Sequence, residues 1–187
     1  MSPKDTALNE DQMAQLAEWN RLGHRFHEEH RFDRSLEQFW LSLVRARELK
    51  ERRWECVALN NIGMVYQSWG KFDHAMKFYS QSLEISRELG YPEGSAAALN
   101  NLGRLYEAWG RLDRALEHYK QGLDLALQGD PQTLRVLRLN IAMCLEKLGD
   151  FEGCRAQLRE VVHLDQVLGH PQAELDRAYL AQMEGRP

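Results

Sequence analysis

Ala58–Gly70, ALNNIGMVYQSWG, returns forty residues later as Ala98–Gly110, ALNNLGRLYEAWG, and eight of its thirteen residues are unchanged. An internal copy of that quality marks a repeat protein, so the period decides the fold. Within the stretch, Leu59, Ile62, Gly63 and Tyr66 are spaced i, i+3, i+4, i+7 and make one apolar stripe on a helix. Gly63 lacks bulk, so a partner helix can approach there. Ala75 and Tyr79 follow as the small residue and the ring that would meet it.

The same constellation recurs through the chain. Upstream stand Trp19, Leu22, Gly23 and Phe26, then Ser35 and Phe39. The third copy has Leu99, Leu102, Gly103 and Tyr106, then Ala115 and Tyr119; the looser fourth has Arg138, Ile141, Ala142 and Leu145, then Cys154 and Leu158. Gly70, Gly110 and Gly149 are suited to end first helices in the left-handed cap conformation. Asp33, Asp73 and Asp113 then stand where they could cap the second helices. Gly90-Tyr91-Pro92, Gly129-Asp130-Pro131 and Gly169-His170-Pro171 punctuate the repeat junctions as glycine past a helix end and proline at the next first turn. The first junction, Lys50 to Arg52, lacks both residues, which suggests a tighter or more helical connection.

The spacing W-x2-L-G-x2-aromatic, then small-x3-aromatic, resembles the tetratricopeptide repeat (TPR) over about Gln15 to Leu168. With repeats beginning LNN and a 40-residue period, it resembles the long-repeat subgroup that includes the kinesin light chains. The resemblance implies an all-α, right-handed α-solenoid of four helix pairs in one domain spanning 1–187. Repeats would cover about 15–50, 55–90, 95–129 and 134–169. A C-terminal capping helix near 171–183 would turn Leu175, Ala178 and Tyr179 to the fourth repeat; truncation of a longer array is the alternative. Helices are predicted near 7–29, 33–49, 52–69, 73–89, 93–109, 113–128, 131–148, 151–168 and 171–183.

The resemblance also implies that first helices line a concave, partner-binding face. With the apolar stripe buried, Asn60, Met64 and Gln67 lie about 110° around the helix at ~100° per residue. The matching positions are Asn20, His24 and His27; Asn100, Arg104 and Glu107; and Leu139, Met143 and Glu146. Asn61, Asn101 and Asn140 lie at the margin. Asn20, Asn60 and Asn100 thus form a ladder of carboxamides, each able to donate to and accept from a bound peptide backbone. Asparagine is a mediocre helix former, so its recurrence has a reason: ligand binding, inheritance by duplication, or bridging of adjacent helices. TPR domains that hold a chaperone's C-terminal carboxylate use two lysines, two asparagines and a further cation. Asn20, His24, Asn61, Ala97 and Asn101 occupy those positions here, so recognition of such a tail is not expected.

Composition limits the remaining possibilities. A net charge of −4, from 24 Lys+Arg against 28 Asp+Glu, and no basic block disfavour a nucleic-acid partner. No run approaches the ~18 apolar residues of a membrane span, and Met1–Gln12 shows no secretory apolar region, so a cytoplasmic protein without membrane contact is expected. Cys56, Cys144 and Cys154 fall in apolar helical patterns without a CxxC pair and read as buried free thiols. No phosphate-binding loop, nucleophile elbow or HExxH occurs, so no enzyme and no cofactor is implied. His24, His27, His30 and Glu28 cluster in the first repeat, but they read as a solvated face, and no metal site is assigned. Trp69 and Trp109 at helix ends suit packing between repeats better than an aromatic cage. The leading expectation is a non-catalytic scaffold that binds a peptide or helix of a protein partner in the groove. The alternatives are a self-assembling homo-oligomer, for which Leu139 and Met143 supply a patch, or a ligand- or metal-sensing regulator.

Overall fold

A computed structural model of the chain describes residues 10–127 and 129–186. The described residues form nine helices and no strand: α1 (Glu10–Glu28), α2 (Phe32–Glu48), α3 (Arg52–Ser68), α4 (Phe72–Glu88), α5 (Pro92–Ala108), α6 (Leu112–Ala126), α7 (Pro131–Leu148), α8 (Phe151–Leu168) and α9 (Ala173–Glu184). The helical repeat read from the sequence is therefore present throughout. Expected helical residues 7–9 and 128 lie outside the described residues. The chain divides into two compact units, Met1–Gly90 and Tyr91–Pro187.

In the first unit α1 packs on α2, α2 on α3 and α3 on α4; in the second, α5 packs on α6, α6 on α7, α7 on α8 and α8 on α9. The glycine of each apolar stripe sets the closeness of the pair. A Cβ on Gly63 would lie 2.7 Å from the Tyr79 ring, and one on Gly103 would lie 2.5 Å from the Tyr119 ring. Phe39 covers Gly23 in the same way, and Ser35 Oγ donates to the Gly23 carbonyl at 2.8 Å. Phe39, Tyr79 and Tyr119 are fully buried. Each ring fills the space that its glycine leaves.

Helix ends follow one scheme in the first three repeats. Gly70 N–H donates to the Gln67 carbonyl, and Lys71 N–H to the Tyr66 carbonyl, with Gly70 at φ +71°. Such paired bonds satisfy carbonyls that the helix end would otherwise leave open. His30 and Lys50 adopt the same left-handed conformation, at φ 57° and 58°. The first junction therefore turns as those at Gly90 and Gly169 do, at φ 58° and 60°, without extra helix.

Two expectations need correction. Asp33, Asp73 and Asp113 do not cap: the second helices begin one residue earlier, and Arg31, Lys71 and Arg111 hold the cap positions without a side-chain cap bond. The three aspartates sit in the first turn, where a negative charge faces the helix's positive end. In the fourth second helix, α8, Asp150 does cap, accepting from Gly153 N–H at 2.8 Å, as Asp130 does for α7 from Thr133 N–H at 2.9 Å. The second correction concerns α9, which begins at Ala173 and turns a different face inward. Leu175 is 69% exposed and Ala178 is exposed, whereas Asp176 and Met183 are buried and Tyr179 and Leu180 half-buried. Asp176, Tyr179, Leu180 and Met183 keep the i, i+3, i+4, i+7 spacing. A charge occupies that stripe because Arg135, 3% exposed on α7, donates to both Asp165 and Asp176. Tyr179 donates to Glu146 and fastens the same helix to α7.

Candidate functional site

In the first unit, Asn20 and His24 stand one turn apart on α1. They line a cleft of about 470 Å³ with Ala17, Arg21, Arg25, Glu28 and, from α3, Trp54. Trp54 was not expected in the site, because the repeat pattern begins only at Leu59. Asn61 Nδ2 donates to Asn20 Oδ1 at 2.6 Å, which joins a margin residue of α3 to a ladder residue of α1. His24 sets its edge on Phe39, with ring centroids 5.3 Å apart. Burial pushes the His24 imidazolium down from its ordinary range, and the Glu28 charge only partly opposes this. Its neutral ring can donate and accept at pH 7.

The second unit repeats the bridge. Asn140 Nδ2 donates to Asn100 Oδ1 at 2.7 Å. The carboxamides are thus linked between neighbouring first helices, as the bridging alternative required. Arg104 is exposed on α5, and Met143 is 41% exposed on α7. Met64 and Asn60 are half-buried on α3, and Asn101 is half-buried on α5.

Gln67 and Glu107 have a second role that the wheel did not reveal. Tyr79 Oη donates to Gln67 Oε1 at 2.7 Å and Tyr119 Oη to Glu107 Oε2 at 2.8 Å, both across twelve residues. Burial, with the Glu107 carboxylate accepting from it, pushes the Tyr119 hydroxyl well above its usual value. Lys147 Nζ reaches Glu107 Oε1 at 2.5 Å from the next first helix. The sequence held a signal for this, since an acceptor at 67 and 107 precedes a tyrosine at 79 and 119 by the same interval.

The histidine cluster disperses. His24 faces Phe39, His27 Nε2 lies 2.8 Å from Ser68 Oγ, and His30 packs against Phe32. Among the described residues no three His, Cys, Asp or Glu side chains converge as metal ligands. Trp69 packs against Phe32 and Tyr66 with Lys71 Nζ 4.7 Å above its ring, so the indole joins repeats. Cys56, Cys144 and Cys154 are buried, and burial raises each thiol above its ordinary value. Among the described residues no helix is long and apolar enough to cross a membrane.

A tetratricopeptide repeat family model matches residues 13–88 and 77–128, more than half of the chain. No curated protein matches. Among solved structures the chain is similar to BtubC (BKLC) from P. vanneervenii, with 22% identity and TM-score 0.69 over 88% of this chain and 68% of that one. The TPR-like repeats of a candidate kinesin light chain from Podosopora anserina give 17% identity and TM-score 0.71, covering 90% and 84%. A Rap protein complexed with competence and sporulation factor gives 15% identity and TM-score 0.71, covering 96% of this chain and 50% of that one. These likenesses concern the fold.

Proposed function

The chain belongs to the tetratricopeptide repeat family, and from that premise we propose that it is a non-catalytic scaffold whose first helices bind a peptide or helix of a protein partner. The observation that carries this reading is the 470 Å³ cleft, in which polar Asn20 and neutral His24 stand beside the flat ring of Trp54. An aromatic wall with a few fixed polar groups is what a peptide side chain and its backbone require. The Asn61–Asn20 bond uses one acceptor site of Asn20 and leaves its N–H donors for a ligand carbonyl. The Asn140–Asn100 pair, with exposed Arg104 and Met143 nearby in sequence, would supply a second contact surface. Asn60, Met64 and Gln67 complete the proposed surface of the first unit, and Asn101 and Glu107 that of the second. A similar fold in the Rap complex holds competence and sporulation factor, which supports a peptide ligand. The domain is proposed to act as a single array in the cytoplasm.

The test uses a partner captured with the full chain and identified by mass spectrometry, then titrated as a peptide by calorimetry. Asn20→Ala with His24→Ala should weaken binding by about one order of magnitude or more, from ~0.5–1.5 kcal/mol per lost hydrogen bond. Arg104→Glu should change preference among peptides of opposite charge. Unchanged affinity in both variants would overturn the groove reading.

A further inference from the structure

The outer face of α2 breaks the repeat rule. Trp40, Leu41 and Val44 are 36%, 42% and 53% exposed. Forty residues on, the same positions are Ser80, Gln81 and Glu84, and forty further they are Lys120, Gln121 and Asp124. The repeat therefore asks for polar residues there, and the first copy alone among these three carries a tryptophan and two aliphatic side chains. Together with Trp19, which is half-buried where Leu59 and Leu99 are 1% exposed, they line a depression of about 390 Å³. Clustered exposed apolar residues of this kind mark an interaction surface.

Charges along the same face indicate what covers it. Arg34, Glu37, Leu41, Arg45 and Glu48 follow one another along α2 at steps of three, four, four and three residues, symmetric about Leu41. A second α2 laid antiparallel, with a two-fold axis at Leu41, would bring each residue to the one equally far on Leu41's other side. Glu37 then meets Arg45 of the second copy, and Arg34 meets Glu48, so all four pairs across the axis are of opposite sign. A parallel copy would set each charge on its like. Arg45 Nε is buried without a hydrogen-bond partner, although the guanidinium reaches Glu48 through Nη1 at 2.9 Å. A self-complementary patch is what a two-fold interface requires. We propose that the α2 face is the docking surface for a second copy of this chain, packed antiparallel through Trp40, Leu41 and Val44 with Glu37–Arg45 pairs across the axis. This surface is separate from the first-helix residues assigned to a partner peptide.

Sedimentation velocity on the full chain, over about 1–200 μM, tests it. A concentration-dependent dimer is expected. Replacing the patch by the second repeat's own residues (Trp40→Ser, Leu41→Gln, Val44→Glu) should abolish it while the helical circular dichroism is kept. Glu37→Arg or Arg45→Glu alone should weaken dimerisation at least about tenfold, as truncation at an interface centre does. The double exchange should restore it, and Leu41→Cys should form an intermolecular disulfide on oxidation. A wild-type chain monomeric across the range would overturn the proposal. So would a dimer that persists without the patch, or charge exchanges that fail to compensate. Asn20→Ala with His24→Ala should leave the dimer intact, which separates this surface from the groove.

Discussion

Gly103→Ala sets two effects against each other. Alanine in a helix interior is favoured over glycine by ~0.8–1.0 kcal/mol. Against this, the new methyl would lie 2.5, 2.6 and 3.0 Å from Cε1, Cδ1 and Cζ of Tyr119. Ordinary carbon contacts need about 3.5–4.0 Å, so the ring must retreat by about 1 Å. It has nowhere to go, because Tyr119 is fully buried and its hydroxyl is held by Glu107 at 2.8 Å. Overpacking of ~1–3 kcal/mol should then sit at its upper end, and the strained hydroxyl bond adds ~0.5–1.5 kcal/mol. The net expectation is a loss of about 2–3 kcal/mol, lowering Tm by roughly 4–12 °C for a chain of this size. Gly122→Ala in α6 is the control. Its methyl would meet Leu137 Cδ2 at 3.1 Å and nothing else nearer than 3.4 Å. A terminal methyl can yield, so this variant should match the wild type or gain up to ~1 kcal/mol. Urea titration followed by circular dichroism measures both variants. Amide exchange should show the Gly103→Ala damage concentrated in α5 and α6, since repeats contact only their neighbours. If Gly103→Ala were as stable as Gly122→Ala, the close contact between α5 and α6 would not exist as described.

Arg135→Met should cost ~3–5 kcal/mol in urea unfolding, because it strands the buried carboxylates of Asp165 and Asp176; a loss below 1 kcal/mol would contradict their burial. Burial chiefly raises the Asp176 carboxyl above its ordinary 3.8, against the pull of Arg135, with the Asp165 charge adding to the rise. The native state therefore holds that proton more tightly than the unfolded chain. The resulting stabilisation is full below about 3.8 and is lost as pH rises through the folded value. Exchange protection of α9 should accordingly grow as pH falls toward 3.8. Asp176→Asn should flatten that response, while His170, 3.8 Å from Asp165, remains in place. Cys56, Cys144 and Cys154 should resist a thiol reagent in the native chain and react promptly in urea, since burial both covers and protonates them. Rapid native labelling would show that these helices open more readily than their packing implies.

The helices were legible because their cause is local and repeated. An apolar stripe at 3.6-residue spacing, a small residue against a ring, and a glycine at each turn recur within one helix pair. Three copies allow each position to be checked against the others. The starts of α2, α4 and α6 lie one residue earlier than the sequence predicts. The aspartates suggested caps, but cap geometry depends on the approach of the preceding turn. The face of α9 was misjudged for a different reason. Leu175 is more apolar than Asp176, and in isolation it would be the residue to bury. Only the arrival of Arg135 from another helix makes Asp176 the better choice, since a buried cation requires its carboxylates.

The candidate site divides along the same line. The sequence by itself determined which side chains share the outward face of the first helices, because the angle between residues on one helix is fixed. Only the tertiary structure decided what those side chains touch. Asn20 and Asn61 are far apart in the chain and meet only because α1 and α3 are neighbours, as α5 and α7 are for Asn100 and Asn140. Gln67 and Glu107 were read as groove residues, yet each also accepts from a tyrosine on the second helix of its own repeat. Periodicity fixes direction around one axis, whereas a hydrogen bond needs two axes and the distance between them.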